Sequence, residues 1–223
     1  MAYVYQVYPK KKKSIFDSLS LNTILIILNV LLFIVFTILV KFNFISWDFI
    51  AIKPANILEG KYFWTFLTSM FMHAGFFHLF VNMLSLFFAG SLIEKIIGRK
   101  RYIWFYLFSG IFASLFFVLM SLIFSSDFNA YAVGASGALF GLIGLLMFLT
   151  PNLPVYVMFI PIPIKMKYAA PGMLILLWAI SLAGDISIGN TAHLGGLIAG
   201  LIYGAFLRNK YKNKIKYIQK RFS

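Results

Sequence analysis

The sequence predicts an all-α membrane protein, a bundle of six transmembrane helices with both termini in the cytoplasm. Three observations predict it. Of the 223 residues, 61% are hydrophobic and 12% charged, against roughly half apolar and a quarter charged in soluble domains. Such a chain cannot cover its own surface with polar groups, which excludes a soluble enzyme, a disordered tail and a disulfide scaffold. The apolar residues gather into stretches close to the ~20 residues that cross ~30 Å of hydrocarbon. Lysine and arginine then fall almost entirely on one side of those stretches. The lack of cysteine removes disulfides, thiolate metal sites and cysteine nucleophiles together.

The elements follow in order. A short basic segment, residues 1–20, carries Lys10–Lys13 and precedes the first span, Leu21–Val40. That span lies too deep, and lacks a small-residue cleavage pattern, to read as a removable signal peptide. The Phe42–Phe66 loop holds Trp47, Phe49, Tyr62, Phe63 and Trp64, aromatics that favour the headgroup zone. The second span, Met70–Ile93, is apolar but bears His73, His78 and Asn82 near its start. Tyr102–Phe124, Ala135–Thr150, Tyr168–Gly184 and Ala192–Leu207 complete the six, with four prolines breaking the chain between the fourth and fifth. The core is thus residues 21–207, and 208–223 form a basic tail expected to be solvated. No internal repeat or appended soluble domain is visible.

Orientation follows from charge. Seventeen of the twenty lysines and arginines lie before span 1, between spans 2 and 3, between 4 and 5, or after span 6; the opposite side has Lys41, Lys53 and Lys61. The positive-inside rule puts the termini in the cytoplasm and runs spans 2, 4 and 6 inward. The net charge of +14 is therefore a topology signal whose partner is membrane lipid. It does not call for nucleic acid.

Ionisable groups inside spans are costly and by default mark a functional site. His73 and His78 open span 2, His193 opens span 6, and Gly134-Ala135-Ser136-Gly137 opens span 4. Ser136, His78, His193 and Asn82 therefore share one depth. His193, Gly196, Gly200 and Gly204 fall on one helical stripe, and Gly137, Gly141 and Gly144 on another. Small-residue stripes are where membrane helices approach most closely, so packing the two brings His193 towards Ser136. Span 4 is also short, about 24 Å at 1.5 Å per residue. Its first turn lies below the surface, and Ser125–Val133 must dip inward, lining protein or water.

A serine hydroxyl needs a base within hydrogen-bond reach, and His193 is the candidate. A tetrahedral intermediate needs preorganised donors, each worth roughly 100- to 1000-fold in rate. The unpaired Ser136 amide at the positive end of its helix is one; Asn82 and His78 could supply others. No acid is placed to orient His193, since Asp185 sits eight residues earlier in a loop. The reading is a Ser–His dyad. Taken singly, Asn82 reads as polar glue, His73 as a brace for the start of span 2, and Glu94 beside Lys95 and Arg99 as an ion-pair or capping residue. The His-Glu-x-x-His zinc pattern is missing, no span carries paired aspartates, and no metal or cofactor is expected. A small transporter is the competing class. It would explain intramembrane polar groups but not their gathering at one end, and no inverted repeat supports it.

At these residues the chain resembles the rhomboid family of intramembrane serine proteases, of the bacterial minimal six-helix type. The family's Gly-x-Ser-Gly motif stands as Gly134–Gly137, and Ala-His-x-Gly-Gly as Ala192-His193-Leu194-Gly195-Gly196. His-x4-His-x3-Asn stands as His73, His78 and Asn82, and Glu-x3-Gly as Glu94 and Gly98. The resemblance implies a plasma-membrane enzyme that cleaves transmembrane protein substrates, with its active site opening to the extracytoplasmic side. Ser136 would be nucleophile, His193 base, and Asn82, His78 and the Ser136 amide the oxyanion hole, with Gly134, Gly137, Gly196, Gly200, His73 and Glu94 as support. The fifth helix and the Asp185–Thr191 loop would gate substrate access. Two positions depart from the common pattern. Trp64-Thr65 replaces Trp-Arg, and Phe140 stands where a tyrosine commonly stacks on the catalytic histidine. A catalytically silent rhomboid-like protein is the alternative within the family.

Overall fold

The computed structural model describes residues 19–157, 160–184 and 188–220, so Lys10–Lys13, Asp185 and Arg221 lie outside the described residues. Among these, five helices are long and apolar enough to cross a membrane: α1 (Leu21–Lys41), α4 (Phe76–Ile97), α5 (Arg99–Met120), α8 (Met166–Gly184) and α9 (Asn190–Lys210). A shorter apolar helix, α7 (Ser136–Leu149), completes an all-α membrane bundle. Short helices α2 (Pro54–Leu58), α3 (Thr65–Thr68) and α6 (Ser125–Phe128) sit in the connections, and α10 (Lys212–Lys220) closes the described chain. A two-stranded antiparallel ribbon, Pro154–Val155 with Ile164–Lys165, joins α7 to α8.

The helix that is apolar all round is the one at the centre. In α7 Ala138 to Leu146 are all buried, as expected of a helix enclosed on every side. It packs against α9, α5 and α8. Half of the apolar window of α9 is buried, against 11% in α1, whose Leu31, Ile34, Val35 and Ile38 remain exposed. Those faces meet lipid.

Glycine sets the closest contact. A Cβ on Gly196 would strike the Gly137 carbonyl, and one on Gly200 the Gly141 carbonyl, while one on Gly144 would lie 2.5 Å from the Leu197 carbonyl oxygen. The two stripes read from the sequence therefore meet backbone to backbone. Gly195, on the other side of α9, faces the Phe116 ring of α5, and Gly137 also faces Ala113.

At the far end of the bundle a polar cluster ties α1 to α4 and α5. Glu94 caps α1 rather than its own helix: its carboxylate accepts the Leu21 and Asn22 amides at 3.0 and 2.9 Å, with Arg99 Nε 3.9 Å away. Two of the orphan donors of α1 are thereby satisfied by an anion at the positive helix end. Asn22 Nδ2 donates to the Leu86 carbonyl at the start of a π turn and to Ser91 Oγ, and Tyr102 Oη donates to Asn22 Oδ1 at 2.5 Å.

Two expectations need correcting. The second span does not start at Met70: Ser69–Phe71 form a 3₁₀ turn, Met72 is extended, and the helix begins at Phe76 after Gly75. The Ser69 carbonyl is drawn away to the Gly134 amide at 2.8 Å, so the chain cannot continue as a helix there. The tail is not simply solvated either. The sixth span runs on to Lys210, and α10 buries Ile215 against the core, with Gln219 Nε2 3.4 Å from the Phe148 carbonyl.

The glycine contact makes a stability prediction. Gly200→Ala should destabilise the fold by about 2 kcal/mol through overpacking. Gly172→Ala in α8, where a Cβ meets nothing within 4 Å, should be neutral or slightly stabilising. Equilibrium unfolding in mixed micelles distinguishes the two.

Candidate active site

Ser136 is the first residue of α7. The first bond onto the helix runs from the Leu139 amide to the Ala135 carbonyl at 2.9 Å, so the amides of Ser136, Gly137 and Ala138 have no partner within it. They point to the positive end of the helix dipole. A cavity of about 560 Å³ lies over this end and is lined by Ser136, His193, His78 and Asn82. Phe77 and Val81 of α4 line it from one side, Leu176 and Leu177 of α8 from another.

His193 stands one turn into α9, its amide bonded to the Gly189 carbonyl at 3.1 Å. Its Nε2 lies 2.8 Å from Ser136 Oγ. The ring is buried, and Nδ1 has no hydrogen-bond partner. Among the described residues no carboxylate bonds to it. Phe140, one turn beyond the serine, stacks on it with ring centroids 4.6 Å apart and planes 20° from parallel. With Nε2 facing a hydroxyl, the neutral ring that can accept its proton carries hydrogen on Nδ1.

His78 approaches from α4. The Ala74 amide donates to its Nδ1 at 3.4 Å, which leaves the proton of the neutral ring on Nε2. Gly134 makes room for that nitrogen: a Cβ there would lie 2.9 Å from His78 Nε2, and its φ of 118° is one that other residues rarely adopt. Asn82 Nδ2 donates to the His78 carbonyl at 2.8 Å. That bond fixes which way the amide faces and leaves a second N–H on a residue lining the cavity.

The strand of chain leading into Ser136 is pinned on both sides. Ile52 and Ala132 exchange backbone bonds of 3.1 and 2.9 Å. Tyr131 Oη donates to Asp48 at 2.8 Å, Asn56 Nδ2 donates to the same oxygen at 2.6 Å, and Lys53 lies over the Tyr131 ring. Thr191, two residues before His193, donates to Asp127 at 2.8 Å. Burial by itself raises the Asp48 carboxyl, but the bonds from Asn56 and Tyr131 and the Lys53 charge outweigh it and hold the group below its usual value.

Of the residues singled out from sequence, Ser136, His193, His78, Asn82, Phe140 and Gly134 meet around this cavity. Gly137, Gly196 and Gly200 form the helix contact beneath it, and Glu94 lies at the opposite end of α4. His73 is buried in the extended approach to α4, with its ring against that of His78 at 5.2 Å between centroids. Thr65 is buried and its hydroxyl donates to the Tyr62 carbonyl at 2.7 Å. The Asp48–Tyr131 and Asp127–Thr191 bonds join residues 83 and 64 positions apart. No local pattern announces them.

Comparison with known proteins agrees with this architecture. The rhomboid domain family matches residues 60–210. The chain is 40% identical over 159 residues to RHOMBOID-like protein 1 of Arabidopsis thaliana, an alignment covering 69% of this chain and 37% of that protein. It is 34% identical to Inactive RHOMBOID-like protein 8 of the same plant, over 64% of this chain and 38% of that one. Rhomboid protein 1, mitochondrial, of Saccharomyces cerevisiae is 30% identical over 62% of this chain and 40% of that one. The chain thus spans well under half the length of each of these relatives.

The Asp48 latch has a pH signature. A carboxyl held below its unfolded value contributes stability that is present above about pH 4 and lost as pH falls through the lower folded value. Tyr131→Phe removes one of the bonds responsible, so the variant should melt below wild type at pH 6, and the gap should narrow as pH falls through the lowered folded value. Melting curves over an acid pH series check this.

Proposed function

The chain belongs to the rhomboid family, and on that footing we propose that it is an intramembrane serine endopeptidase that cleaves membrane proteins in or near their transmembrane segments. The carrying observation is the 2.8 Å approach of His193 Nε2 to Ser136 Oγ inside a cavity walled by membrane helices. As His193 accepts its proton, Ser136 Oγ attacks the scissile carbonyl. The oxyanion that forms accepts from the Ser136 amide, the His78 Nε2–H and the free N–H of Asn82, donors already set in place. His193 then protonates the leaving amine, and water releases the acyl group by the same steps in reverse order of roles. The ring is steadied by its stack on Phe140. The chemistry needs neither metal nor cofactor.

The same reading covers access and location. Substrate helices approach between α4 and α8, which both line the cavity while α8 packs on α7 and α9. The six-helix unit, residues 21–207, sits in a plasma membrane with its basic ends in the cytoplasm and the Ser136 end towards the extracytoplasmic face, by the positive-inside asymmetry. Membrane lipid is its surroundings and transmembrane protein its substrate.

The test compares wild type, Ser136→Ala and His193→Ala in detergent or liposomes with a fluorophosphonate probe and a model transmembrane substrate. Labelling and cleavage should be present in wild type and lost in both variants. A folded wild type that neither labels nor cleaves would assign the chain to the catalytically silent members. Asn82→Ala should lower kcat by about 100-fold with little change in KM. Phe140→Ala should cost up to about tenfold in kcat, the worth of one ring stack, with Phe140→Tyr retaining activity.

A further inference from the structure

His193 Nδ1 has no hydrogen-bond partner among the described residues, so the ring takes its position from elsewhere. Its stack on Phe140, with planes 20° from parallel, sets the plane of the ring. A stack is satisfied over a range of offsets, so it does not set where the ring lies within that plane. The imidazole lone pair points along the plane, and the 2.8 Å approach to Ser136 Oγ therefore depends on the backbone that carries the ring. That backbone is the first turn of α9, where orphan amides ordinarily call for a cap. Here the N-cap is Gly189, which has no side chain to accept a bond, and the turn holds no acid of its own. The glycine seam takes hold only at Gly196, a turn further on.

We propose that Asp127 and Thr191 are positioning residues for the Ser136–His193 pair, a clasp that holds the first turn of α9 against the segment leading into Ser136. Thr191 is 7% exposed, and its hydroxyl donates to Asp127 Oδ2 at 2.8 Å. Among the described residues this and the His193–Ser136 bond are the side-chain hydrogen bonds of that turn. A hydroxyl bonded to a carboxylate is stronger than a neutral pair. The carboxylate itself is held in place. In α6 the Asp127 amide donates to the Phe124 carbonyl at 3.0 Å, and the Asp127 carbonyl accepts the Ala130 amide at 3.1 Å. Ala130 and Ala132, on the way to Ser136, pack in one small apolar cluster with Ile52, Phe117 and Ala192. Ala192 stands between Thr191 and His193, so the bond and the cluster grip the same turn. The seam beneath fixes how close the two helices come, and the clasp fixes where the base sits at their end. Its effect on turnover rests on the protease reading; the geometry it sets does not.

Thr191→Val removes the hydroxyl at nearly constant volume, and Thr191→Ser keeps it. On a model transmembrane substrate Thr191→Val should lower kcat about tenfold with KM little changed, and Thr191→Ser should restore the rate. Asp127→Ala should match Thr191→Val, and the double variant should be no slower than either, since both changes remove one bond. Asp127→Asn, which keeps an acceptor, should stay closer to wild type than Asp127→Ala. A full-rate Thr191→Val, or losses that add in the double variant, would overturn the proposal. A second readout needs no turnover. The chain has three histidines, so imidazole nitrogen NMR in liposomes resolves His193, assigned by its loss in His193→Gln. The bond from Ser136 displaces the Nε2 resonance by an amount that Ser136→Ala defines. Folded Thr191→Val should lose most of that displacement and Thr191→Ser should keep it; a Thr191→Val spectrum identical to wild type would sink the clasp. Should wild type neither label nor cleave, the protease reading falls while the displacement still decides the positioning of His193.

Discussion

Backbone contact between α7 and α9 is the constraint on which the rest of the molecule depends. Helices that meet through ordinary side chains lie 8–10 Å apart. Here the Gly137 and Gly141 carbonyls press on Gly196 and Gly200, with no room for a Cβ on either. Serine is short, so Ser136 on one helix reaches His193 on its neighbour at 2.8 Å because the axes are this close. The stripe does two jobs at once. It replaces the hydrophobic effect, which lends little to helix association in lipid, with dense packing. It also sets the register that lines up the first turn of α7 with the first turn of α9. Stability and site geometry are then one property, and a methyl group added to the seam spoils both.

Shortness of α7 adds the second constraint. Its 14 residues span about 21 Å, so the chain preceding Ser136 is irregular backbone at a depth where water is scarce. Such backbone persists only if protein satisfies it. The Gly134 amide goes to Ser69, Ala132 pairs with Ile52, Tyr131 reaches Asp48, and Asp127 takes the Thr191 hydroxyl. The long loop after α1 is thus the partner that lets the approach to Ser136 exist, and its buried Ile50, Ala51 and Ile52 anchor it there. Of the aromatic residues read from sequence as headgroup anchors, Phe49, Phe63 and Trp64 stay exposed on the same loop, while Trp47 and Tyr62 are partly buried.

How much of this was legible follows from range. The spans are composition over ~20 residues, and they read out to within a few positions of the helix ends. The α7–α9 seam was legible because glycine, unfavourable in a helix interior by about 1 kcal/mol, recurs at three- and four-residue spacing on both. Shared depth followed from counting charges. Long-range pairs were not legible. The start of α4 is decided by a bond from Gly134 to Ser69, so His73 looked helical from its neighbours and is not. Around α10 the lysines mask the apolar residues Ile215 and Ile218, with Tyr211 just before the helix, whose spacing is helical. Glu94 read as a cap or ion pair, and nothing local said that the helix it caps is α1, 73 residues away.

The two polar clusters of the bundle differ in one respect that bears on function. Around Glu94, Asn22 and Tyr102 donors and acceptors find one another, which is what a buried network must do to stabilise a fold. Near Ser136 the accounting is less complete: among the described residues His193 Nδ1 and Asn82 Oδ1 are buried without partners. Asn29 Oδ1 and Tyr106 Oη, unbonded elsewhere, at least lie near each other. A cluster kept only for packing would have been closed, or replaced by apolar side chains at little cost. Unpartnered groups on residues that line one cavity are a local violation of the rule the other end obeys. Functional sites are where a fold departs from its own packing rules in this way.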